Sequence, residues 1–134
     1  MKINKMTDYA IRAIRVIHIG QNTVVTSKVI AEKEGIPHGV LMKVLRQLRQ
    51  NGIVQSHQGR GELTGGFSLV KSPKELTLLE VMEAIEGSLS LNEFFTKKDY
   101  SDTLKACGVY DELNRCNEIF RQELGRYPLE KFFG

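Results

Sequence analysis

Two cysteines and three histidines are the side chains here best suited to metal, redox or nucleophilic chemistry. His18, His38 and His57 show no HxxxH-type spacing, and no Ser/His/Asp arrangement is visible. Neither a zinc centre nor a hydrolytic triad is therefore indicated. If Cys107 and Cys116 lie on one helix, about 13 Å of rise and about half a turn separate them. That spacing excludes a disulfide or one shared metal within the chain. Cys116 falls on an apolar stripe and reads as a small hydrophobe. Cys107, beside Gly108 near a helix start, reads as the more reactive thiol. The glycine-rich stretch GRGELTGGF, Gly59 to Phe67, is the other candidate. It lacks the adjacent lysine–hydroxyl pair of a P-loop, and GGF leads into a strand instead of a helix, so a nucleotide cradle does not fit. An enzyme is the remotest reading.

The elements that would position these residues can be read from periodicity. Ala10, Ala13, Ile14 and Ile17 form one buried face of a helix from Thr7, its expected cap, to Gly20. Thr26 or Ser27 caps a short helix ending at Gly35. Pro37 opens the next helix, whose apolar stripe is Leu41, Val44, Leu45 and Leu48. Two helices joined through EGIP have the helix-turn-helix outline. The second presents Gly39, Met42, Lys43, Arg46 and Gln50 on its outer face, a mixture of open backbone, cations and an amide suited to base edges. The bland reading of that face is a solvated surface. GIVQS and GFSLV read as strands of a hairpin around GRGELTGGF, completing the winged-helix order. The loop then becomes a wing, with Arg60 placed to enter or flank a minor groove.

Thr77 and Glu80 form a T-x-x-E capping box for a helix that stops at Gly87. A last long helix is expected from about Thr103 to Arg126. Its stripe includes Leu113, Cys116, Phe120 and Leu124, and in so small a domain a second copy of the chain is the economical partner.

Composition narrows the class. A chain of 134 residues, 41% hydrophobic and 26% charged, suits one globular domain. No apolar run approaches the roughly 20 residues of a membrane span, so no membrane partner is expected. The first residues make a poor signal peptide, and a cytoplasmic location with reduced thiols is expected. Residues 1–75 carry 12 Lys and Arg against 5 Asp and Glu, a net +7, while residues 76–134 carry 7 against 11, a net −4. A basic first half points to a polyanionic partner.

The segments TDYAIRAI, IAEKEGIPHGVLMKVLRQLRQNGIVQS, GGFSLVKSP and TLLEVMEAIEG, with CGVYDEL…PLEKFF after them, resemble the Rrf family of bacterial winged-helix regulators over nearly the whole chain. The resemblance implies a mainly α fold with a small β-hairpin. A winged helix-turn-helix DNA-binding region, residues 1–75, precedes a linking helix, sensor loop and dimerisation helix, residues 76–134. It also implies a homodimer on a pseudo-palindromic double-stranded DNA operator, mostly as a repressor. The matching DNA-binding positions are Lys2, Tyr9, Ser27, His38, Lys43 and Arg60. Lys2 and Ser27 fall at phosphate contacts, His38 and Lys43 at readout positions. The wing is longer than the compact RGPGGGY form usual in the family.

Many family members hold an iron–sulfur cluster through three cysteines. This chain has none between Gly87 and Ala106, although Cys107 matches the family's last cluster cysteine. Asp8 stands where some members supply a carboxylate from the partner's first helix. An atypical cluster using Asp8 and Cys107, a thiol sensor at Cys107, a small-molecule effector and a protein effector all stay open. The alternative function is an adaptor that binds an enzyme partner without reading DNA.

Overall fold

The computed structural model describes residues 4–20, 24–59, 65–87 and 101–134. Helix α1 spans Lys5–Ile19, and its expected face of Ala10, Ala13, Ile14 and Ile17 is buried. Its cap differs from expectation. Asn4 takes that place, its Oδ1 accepting the Met6 N–H at 3.0 Å. Thr7 is buried instead and donates its hydroxyl to Glu86 Oε2 at 2.9 Å, while the Asn4 N–H donates to Glu86 Oε1 at 3.1 Å.

Helix α2, Ser27–Glu34, starts where Thr26 Oγ1 accepts the Val29 N–H at 3.1 Å. Ile36, buried in the turn that follows, leads into α3, His38–Gln50. Pro37 is the N-cap of α3, one residue earlier than expected. Leu41, Val44, Leu45 and Leu48 are wholly buried against α1 and α2, as their spacing predicts.

Strands β1, Val54–His57, and β2, Gly66–Leu69, pair antiparallel with Gln55 opposite Ser68 and Ser56 opposite Phe67. A further pairing was not expected. Val25 and Phe67 exchange both backbone hydrogen bonds, at 2.9 and 2.8 Å, so the chain entering α2 lies along β2. Gly66 makes that approach feasible, because a Cβ there would sit 2.6 Å from the Val25 carbonyl oxygen.

Helix α4, Leu78–Glu86, buries Val81, Met82 and Ile85 against α1 and α3. Half of the capping box forms: Thr77 Oγ1 accepts the Glu80 N–H at 3.3 Å, whereas the Glu80 carboxylate meets Lys71 Nζ at 2.5 Å.

The expected single C-terminal helix is divided. Helix α5 covers Asp102–Ala106 and α6 covers Val109–Leu124, with Cys107 and Gly108 between them. Gly108 adopts φ 82°, a left-handed conformation that glycine takes without Cβ strain and that ends the helical run. The two cysteines therefore lie on either side of a break, not along one helix. Arg121 pairs with Glu83, fastening α6 to α4. Helix α7, Glu130–Phe133, returns to the core: the Leu129 N–H donates to the Leu76 carbonyl at 2.8 Å and the Glu130 N–H to that of Pro73 at 3.0 Å. Leu129 and Phe133 join the same apolar cluster as α1 and α3. Among the described residues, no helix is long and apolar enough to cross a membrane.

Candidate nucleic-acid interface

Two residues expected to meet DNA come together at the junction of α2 and α3. Ser27 Oγ lies 3.0 Å from His38 Nε2, so the first residue of each helix is joined to the other. The contact orients the imidazole and leaves both side chains at the surface end of the motif. From there α3 presents an exposed row of Gly39, Met42, Lys43, Arg46 and Gln50, opposite its buried leucines. A Cβ placed on Gly39 would meet nothing within 4 Å, so the backbone stands open at the helix's first turn. Cations, an amide and an imidazole are the groups that can bond to purine and pyrimidine edges in a major groove. Arg49 Nη1 donates to Ser56 Oγ at 3.4 Å, linking the end of this helix to β1.

The angle between α1 and α2 is held by Arg12, which sequence reasoning did not single out. Its Nη1 donates to Asp8 Oδ2 at 2.9 Å and its Nε to Glu34 Oε2 at 3.2 Å, and Nη2 donates to the Glu34 carbonyl. Hydrogen bonding to Asp8 first, then to Glu34, raises the guanidinium above its ordinary pKa. The Asp8–Arg12 spacing of four along a helix was the available signal; Glu34, 22 positions on, gave none. The Arg12 guanidinium also lies 5.4 Å from the centre of the Tyr9 ring, a cation–π contact that packs half-buried Tyr9. Lys2 and Arg60 lie outside the described residues.

On α6, Leu113, Cys116, Phe120 and Leu124 are each half-buried, and the centre of their face is the buried Asn117. Val109 and Ile119 stand further out, 42% and 46% exposed. The thiols differ. Cys107 caps the end of α5, exposed, with Sγ 3.8 Å from the Leu104 carbonyl. Cys116 Sγ is 3.7 Å from Glu112 Oε1. Hydrogen bonding to Arg115 holds that carboxyl below the usual carboxylate range.

The described donor set does not by itself hold a metal or cluster within one chain. Among the described residues, no three His, Cys, Asp or Glu side chains gather. Asp8, the candidate carboxylate ligand, is bonded to Arg12.

Comparison with known proteins agrees with this fold. Residues 3–134 match the family model described as Rrf2, iron-dependent transcriptional regulator. The transcriptional regulator NsrR of Bacillus licheniformis is 30% identical over 132 residues, covering 97% of this chain and 90% of its own. NsrR of Bacillus subtilis is 30% identical over 131 residues, covering 96% and 88%. Among solved structures, CymR, the global cysteine regulator of B. subtilis, superposes with a TM-score of 0.73 at 21% identity, over 99% of this chain and 96% of that one. IscR of T. potens gives 0.65 at 25% identity, over 98% and 85%. The neighbours share the helix-turn-helix with its hairpin, and the family match runs from the first turn of the chain through the C-terminal return. The chain belongs to the Rrf2 family of DNA-binding transcriptional regulators.

Proposed function

We propose that this regulator acts as a homodimeric repressor that reads a pseudo-palindromic operator with α3. One observation carries the reading: Ser27 and His38 are joined at the head of an exposed row of Gly39, Lys43 and Arg46. In it, Ser27, Tyr9 and Lys2 position the protein on phosphates, His38 and Lys43 read bases, and Arg60 in the wing reaches the minor groove. Residues 1–75 are the reading unit and residues 76–134 the sensing and dimerising unit. Leu113, Cys116, Phe120 and Leu124 on α6 form the dimer face, supported by their incomplete cover within one chain. A two-fold dimer then sets two half-sites about one helical turn apart, roughly 34 Å. Control falls to the exposed thiol of Cys107 at the α5–α6 junction. That thiol is favoured over a cluster because Arg12 already holds Asp8.

The test is operator affinity against salt, by fluorescence anisotropy on a site selected from random duplex DNA. About three Lys or Arg side chains per protomer on phosphates, six in all, give a log–log slope near −5. A slope shallower than about −2 would reject reading through this surface and favour an adaptor role.

A further inference from the structure

A cleft of about 660 Å³ opens between the end of α1, the outward face of the hairpin and the turn after β2. Its described lining includes no residue of the exposed row on α3. Its volume is that of a small-molecule site. One wall is apolar, from the exposed Val24 and Val70; the other carries His18, His57 and Lys74. Among the described residues, none that lines the cleft is acidic, so this lining favours a negative charge. Among the described residues Lys74 makes no ion pair, and it is an exposed residue of the cleft lining.

The polar wall is organised. Gln55 Nε2 donates to Ser68 Oγ at 3.2 Å, and Ser68 Oγ lies 2.7 Å from His57 Nε2. With the serine proton directed to Nε2, the neutral imidazole keeps Nδ1–H as its donor. His18 is held from behind by the Phe133 ring, 5.9 Å between centroids. The C-terminal return thus backs one side of the cleft and the paired strands form another.

We propose that this cleft binds a small organic carboxylate with an apolar body. Lys74 and His57 take the carboxylate, and Val24 and Val70 take the hydrocarbon. One ammonium suits a monoanion better than a phosphate dianion, and the apolar wall has no use in binding a bare inorganic ion. The site gives the regulator a ligand at the base of its wing, far in sequence from Cys107 and independent of α6.

The experiment follows the His18 and His57 imidazole signals by NMR in the full chain, without DNA. The probes are 4-phenylbutyrate, its neutral amide and inorganic phosphate. Saturable shifts with phenylbutyrate are expected, with the amide at least about tenfold weaker. Lys74→Gln should weaken phenylbutyrate about tenfold while its amide fingerprint stays native. Four results each overturn the proposal: no saturable shift with phenylbutyrate; equal binding of the amide; equal binding of phosphate; or unchanged affinity in a folded Lys74→Gln variant. Because no DNA is present, failure here leaves the operator reading standing.

Discussion

Leu129→Ala tests whether the end of the chain is part of the DNA-binding core. Leu129 is only 2% exposed, lies in the cluster with Leu76 and Phe133, and its N–H bonds to the Leu76 carbonyl. Truncating the isobutyl group to a methyl loses about 2.4 kcal/mol of transfer free energy, at roughly 0.8 per buried methylene. Incomplete collapse of the site adds about 1 kcal/mol, for a cost near 3 kcal/mol. For a domain of this size that lowers Tm by about 12 °C. The assay is a thermal melt at fixed protein concentration, since dimerisation makes Tm concentration-dependent. Phe132→Ala is the control, because that ring is 60% exposed; its cost should stay below about 1 kcal/mol. If Leu129→Ala also costs less than about 1 kcal/mol, the return of the chain onto α1 and the Leu76 turn is wrong.

Two glycines separate folding from reading. Gly66→Ala should destabilise by about 1–3 kcal/mol, because its methyl would meet the Val25 carbonyl oxygen; a melt unchanged from wild type would remove the Val25–Phe67 pairing. Gly39→Ala has open space, so it should leave stability equal or raise it by up to about 1 kcal/mol. It should nonetheless weaken operator binding. Undiminished affinity would show that the backbone of α3 does not approach DNA closely at that turn.

Much of this arrangement was legible in the sequence because it rests on local rules. The stripes of α1 and α3, the Thr26 and Thr77 caps, and the hairpin all follow from spacing within one element. The misses come from longer range. Thr7 looked like a cap, yet its hydroxyl serves Glu86, 79 positions away. The C-terminal helix looked continuous because Ala106 and Val109 extend its stripe in phase across Gly108, while the left-handed turn there is a backbone property that periodicity does not register. Val25 beside β2 had no signal beyond Gly66 itself. The residues proposed to face DNA were legible as a face, since polar residues opposite a leucine stripe are visible in any helix. Their grouping was not, because the Ser27–His38 contact depends on how α2 meets α3.

The most direct test of the central claim compares Lys43→Ala with wild type on a selected operator and on random duplex of equal length. Lys43 is exposed on α3, clear of the core, so folding should be unaffected. Loss of a base contact should weaken operator binding by about 1–3 kcal/mol, roughly 5- to 150-fold, with little change on random DNA. Equal affinity for the operator in both proteins, or an equal loss on both DNAs, would contradict readout by this face of α3.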